Sequence, residues 1–195
     1  MKANFVKTFI PAKDFVAVEK VGNKMLVRFD AVKDADTDAY SCVEGSASES
    51  EYNEQEMRRE YEAWKQKWAE KALILAKKAK IAEIAAYDTS DKVNGFMLNG
   101  LLVWLDKATR VGLMNSTTIA KAAGQETTTL WLGGVKLVVD CDKAIQLLSA
   151  LEMYALECFN VTASHKQAVS ELMSIEDVEI YDYKKGYPKM LDMSV

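Results

Sequence analysis

Proline is scarce in this chain of 195 residues: there are two, Pro11 and Pro188, both near the ends. Proline removes a backbone donor and breaks helices, so its absence leaves the long middle free to stay helical. Cysteine is also rare, and Cys42, Cys141 and Cys158 are odd in number with no short pair spacing. That pattern fits neither a disulfide framework nor a metal knuckle, and reads as reduced thiols in a core. Histidine occurs once, as His165. Long hydrophobic runs are missing as well, since the longest clean apolar stretch, Leu101–Leu105, is far short of a bilayer span. Met1–Ile10 carries two lysines but no apolar run of signal-peptide length, which predicts a soluble protein not exported by a standard signal.

The net charge of −4 argues against a nucleic-acid role, because phosphate binding needs a concentrated positive face. What remains is the composition of a globular protein, with 49% apolar residues for a core and 28% charged residues for a surface.

Three regions follow, at 1–47, 48–87 and 88–195. In the first, Asp14–Lys20 and Lys24–Asp30 flank Val21-Gly22-Asn23, a hairpin signal. A third strand is predicted through Tyr40, Ser41 and Cys42, giving a small antiparallel β head that must lean on something. In the second, Ser48 and Glu51 spell a capping box, and no Pro or Gly follows until Gly95. The predicted helix ends near Tyr87-Asp88 and spans roughly 57 Å at 1.5 Å per residue. Met57, Tyr61, Trp64, Trp68, Ala72, Leu75, Ala79, Ala82 and Ala86 repeat along it at spacings of three and four, a coiled-coil-like stripe. A helix this long exceeds what a small domain needs, so part of it is expected to project as a stalk or to pair with another chain. In the third region, Asn99-Gly100 and Gly133-Gly134 mark two hairpins, and Asp106 caps a helix closed by Gly124. Asp140 or Asp142 caps a second long helix striped by Leu148, Leu151, Ala155, Cys158, Thr162, His165, Val169 and Leu172. Ser174 opens a short final helix. The fold class is therefore α+β: β head, long helix, and a C-terminal domain of two hairpins and about three helices. The order hairpin–helix–hairpin–helix hints at an internal duplication.

No catalytic, cofactor or metal site survives a search of the residues. Cys158 lies seven residues before His165, about 10.5 Å along a straight helix, too far to act with it. A histidine on an apolar stripe reads as structural. Asp140-Cys141-Asp142 reads as helix capping rather than a metal corner. Arg58, Arg59, Lys65, Lys67 and Lys71 beside Trp64 and Trp68 suggest single-strand binding by stacking. Five glutamates interleave them, however, which points to a solvated helix flank. The candidate site is a protein interface at Met57, Tyr61, Trp64, Trp68 and Leu75, rich in hot-spot residue types. Two readings of that face stay open: it meets a partner, or it covers the chain's own N-terminal sheet.

Six stretches between residues 80 and 191 carry a likeness to a known family: Lys80–Ala86 (KIAEIAA), Asp91–Phe96 (DKVNGF), Trp104–Asn115 (WLDKATRVGLMN), Thr128–Leu132 (TTLWL), Ala144–Tyr154 (AIQLLSALEMY) and Tyr181–Pro188 (YDYKKGYP). They resemble a domain family of unknown function found in proteins of tailed phages and prophages. The resemblance brings no catalytic residues. It implies a setting near tail and tail-fibre genes, in the host cytoplasm during assembly or in the virion tail. The expected function is a non-enzymatic tail or fibre component that self-associates along its helix and holds other tail proteins. Alternatives are a fibre-assembly chaperone, a single-strand nucleic-acid-binding module and a small hydrolase or glycan-acting tail enzyme. No small-molecule substrate, cofactor or membrane is expected.

Overall fold

The computed structural model describes residues 1–193, which pack as two units, one of Met1–Ala72 and one that begins at Leu73. The first unit is a four-stranded antiparallel sheet with one helix on one face. Strands β1 (Asn4–Pro11), β2 (Val18–Val21), β3 (Lys24–Asp34) and β4 (Ala39–Ser48) lie in the order β1-β4-β3-β2. The β2–β3 hairpin turns at Gly22, whose φ of 62° suits glycine. Alternation on β3 and β4 sends Val27, Phe29, Val43 and Ala47 to the helix side, where all four are buried. Gly45 faces the same way, and a Cβ there would stand 2.7 Å from the Phe5 ring, so only glycine lets Phe5 lie flat across β4.

Helix α1 runs from Glu54 to Asp88 and contributes residues to both units. Its opening corrects the capping-box expectation. Ser48 is paired with Lys24 as the last residue of β4, and Glu49–Glu51 form a 3-10 turn. Asn53 is the cap instead: its Oδ1 accepts from the Glu56 amide at 3.0 Å, and its carbonyl accepts from Met57 at 2.9 Å. A ladder already claims Ser48, and asparagine caps as well as serine does.

The second unit holds α2 (Asp91–Asn94), β5 (Gly95–Leu98), β6 (Leu101–Trp104), α3 (Lys107–Ala122), β7 (Thr127–Leu132), β8 (Val135–Asp140), α4 (Cys141–Glu171), α5 (Ile175–Ile180) and β9 (Leu191–Met193). Both predicted hairpins form, with positive φ at Asn99, Gly100, Gly133 and Gly134. Asp106 Oδ1 accepts from Thr109 at 2.8 Å to cap α3, and Asp140 accepts from Asp142 at 2.8 Å to cap α4. Strand β9 was not foreseen; it pairs parallel with β5 and completes the sheet β6-β5-β9. The core gathers Phe96, Leu98, Leu130, Leu132 and the α4 stripe of Leu148, Leu151, Tyr154 and Cys158. A smaller cluster joins Ile84, Val169 and Val178.

Among the described residues, no helix is long and apolar enough to cross a membrane.

Candidate functional site

The expected interface residues divide between two fates. Met57 is fully buried and Tyr61 nearly so, in a cluster with Val27, Phe29, Val43 and Ala47. The Tyr61 ring stacks on Phe29 with centroids 4.2 Å apart, and the Phe5 and Trp64 rings lie within 6.0 Å of it. Its hydroxyl donates to Asp30 Oδ2 at 2.7 Å, and Lys65 pairs with the same oxygen at 3.0 Å. Asp30 reaches them from an irregularity in β3 where its own φ is 47°. The Tyr61 hydroxyl, with Lys65 beside it, holds the Asp30 carboxyl below its ordinary range. Burial, reinforced by Asp30, pushes the Tyr61 phenol up. Met57 and Tyr61 are therefore the sheet's own cover, which corrects their assignment to a surface. Trp64 is half-buried in the same cluster.

Trp68 and Leu75 remain at the surface, 46% and 56% exposed. Trp68 stacks on Trp64 at 5.4 Å and lies under the Lys7 ammonium at 4.9 Å. Beyond it, Ala79, Ala82 and Ala86 are exposed and Ala72 is half-buried. The residues of α1 that pack in the second unit are different ones: Leu73, Ala76, Ile81 and Ile84. Leu75 precedes Ile84 by nine residues, about 180° around the helix at 100° per residue, so the predicted stripe is the face turned away from that core.

Two of the basic side chains that suggested nucleic-acid stacking are occupied locally. Arg58 bonds Glu54 at 2.9 Å, and Lys65 is held by Asp30. His165 is structural in its contacts. Its Nε2 lies 2.9 Å from the Lys185 carbonyl, which only accepts, so this nitrogen carries the proton; Nδ1 then accepts from the Tyr181 hydroxyl at 2.8 Å. Thr162 donates to Asp88 at 2.7 Å and meets Tyr187 at 3.0 Å, tying the same segment to α4 and to the end of α1. Burial raises the thiols of Cys42 and Cys158, the reverse of what a nucleophile needs.

A cleft of about 400 Å³ in the second unit escaped the sequence reading. Part of its lining is apolar: Trp104, Leu156 and Phe159, 40%, 50% and 59% exposed. Asp88, Asn94, Asp106, Arg110 and Glu152 line it as well and are polar. Arg110 is buried; its Nε donates to Glu152 Oε1 at 2.8 Å and its Nη1 to the Leu105 carbonyl at 2.7 Å. The signal available in the sequence was Arg110, a charge on the inner side of α3, but its partner Glu152 stands 42 residues away.

Residues 75–185 match the family described as a domain of unknown function (DUF4376), and the chain belongs to that family. No curated protein and no solved structure matches the chain. The cleft, His165 and the outer face of α1 from Leu75 onward all fall inside the matched span.

Proposed function

We propose that this member of the DUF4376 family holds protein chains without catalysis, and that its first partner is a second copy of itself along the outer face of α1. The observation that carries this reading is the alternation of four and three between Trp68, Ala72, Leu75, Ala79, Ala82 and Ala86, with every member but Ala72 exposed. Heptad spacing on a face left exposed among the described residues is what a paired helix requires. The face runs about 27 Å at 1.5 Å per residue. An antiparallel register sets Trp68 against Ala86, Ala72 against Ala82 and Leu75 against Ala79 of the second copy. Each large side chain then meets an alanine, so the helices approach closely without voids.

The non-catalytic reading is supported by the single histidine, whose two ring nitrogens are both engaged, and by thiols held protonated. The tail of a tailed phage is the setting that the sequence resemblance favours, with the protein joining tail or fibre components in the virion. Light scattering of the full chain tests the self-association. The wild type should run at twice the monomer mass, and Leu75→Glu together with Ala79→Glu at the monomer mass with unchanged circular dichroism. A monomeric wild type at 100 μM overturns the reading. Proteomics of purified virions tests the setting: high copy number supports a tail component, and absence despite strong expression contradicts it in favour of an assembly chaperone.

A further inference from the structure

The cleft bounded by Trp104, Leu156 and Phe159 is not needed for pairing along α1, and its chemistry is of another kind. We infer that it binds a neutral saccharide. The first observation is the unfinished hydrogen bonding of its polar lining. Arg110 uses Nε and Nη1 on Glu152 and Leu105, and the described contacts leave Nη2 without a protein partner. Arg110 is one of the residues that line the cleft. Glu152 Oε2 and Asp88 Oδ2 are likewise outside every described bond, while their other oxygens are fixed by Arg110 and Thr162. The side chains that carry this donor and these two acceptors are each held by a bond, and all three line the same cleft. A hydroxyl both donates and accepts, so a ligand with neighbouring hydroxyls satisfies all three at once.

The second observation is the charge balance. Asp88, Asp106 and Glu152 line the cleft together with Lys107 and Arg110, so both signs are present in it. A phosphate or carboxylate would face three carboxylates, and an ammonium would face the guanidinium, so the arrangement selects a neutral group. The third observation is the apolar part of the lining. Two exposed aromatic rings with Leu156 present an apolar surface whose negative ring faces attract the polarised C–H groups of a sugar ring. An aliphatic ligand would satisfy this part but strip water from Arg110, Glu152 and Asp88 without replacing it, which is costly. A pyranose has an apolar face and hydroxyl edges, and the volume of about 400 Å³ accommodates one or two rings.

The test uses the full chain, fluorescently labelled, on a printed array of neutral and anionic glycans, beside Trp104→Ala and Phe159→Ser. Both replaced side chains are substantially exposed, so the variants should keep the wild-type melting temperature. The expected result is retention on a subset of neutral glycans, weakened at least tenfold in each variant. Retention on none of the glycans, retention on anionic glycans alone, or equal retention by wild type and variants overturns the inference. Self-association is read separately by light scattering, so the two proposals fail independently.

Discussion

Replacing Tyr61 by Phe removes one hydroxyl and leaves the ring, so it isolates the bond between α1 and the irregular turn of β3. That hydroxyl donates at 2.7 Å to Asp30, whose carboxylate is also paired with Lys65 and is 56% exposed. A hydrogen bond to a charged acceptor contributes about 1.5–3 kcal/mol when buried; the exposure of Asp30 and its second partner reduce the expected loss to about 1 kcal/mol. The bond also fixes the sign of a pH dependence. The folded chain holds Asp30 below its ordinary value, so the stabilisation is complete above the unfolded carboxylate value near 3.9 and disappears as pH falls through the lower folded value. The gap between wild type and Tyr61→Phe should therefore stay constant from pH 7 to about pH 5 and close in more acidic solution. Urea unfolding read by fluorescence, with Trp104 and Trp131 replaced by Phe so that only Trp64 and Trp68 report, measures the first unit alone. A gap of zero at pH 7, or one that persists undiminished at pH 2, would refute the role given to this bond.

Gly45→Ala places a methyl 2.7 Å from the Phe5 ring, and urea midpoints of the same unit should register a loss of about 1–3 kcal/mol. His165→Ala removes two bonds that fasten the segment around Tyr181 and Lys185, so trypsin should cut after Lys184 or Lys185 roughly tenfold faster, at about 1.4 kcal/mol of local opening. Arg110→Ala strands Glu152, whose side chain is 34% exposed; the cost should be about 2 kcal/mol by thermal unfolding, under the 3–5 kcal/mol of a fully buried pair.

Local chemistry was the legible part of the fold. Asn99-Gly100, Gly133-Gly134 and the Asp106 cap each carry their instruction within four residues, and each forms where predicted. Ser48 misled because its competing partner, Lys24, lies 24 residues earlier in a ladder that no local pattern announces. Strand β9 has three residues, too few for a periodic signal, and its partner β5 is nearly a hundred residues upstream. On α1 the difficulty was an excess of signal. Leu73, Ala76, Ile81 and Ile84 form one apolar stripe, and Trp68, Leu75, Ala79 and Ala82 form another on the opposite side. Spacing identifies both, and only tertiary contacts decide which is covered. Met57 and Tyr61 belong to the second stripe by spacing, yet the sheet covers them. The cleft was illegible for the same reason as β9: α1, α2, β6, α3 and α4 each supply part of it.

Disulfide trapping addresses the pairing of α1 most directly, because the native thiols are buried and do not compete. Chains carrying Leu75→Cys and chains carrying Ala79→Cys are mixed, oxidised and separated on a denaturing gel. The antiparallel register predicts a covalent dimer in the mixture and little in either variant alone. Monomer bands in every lane, at concentrations where light scattering has been recorded, would contradict it.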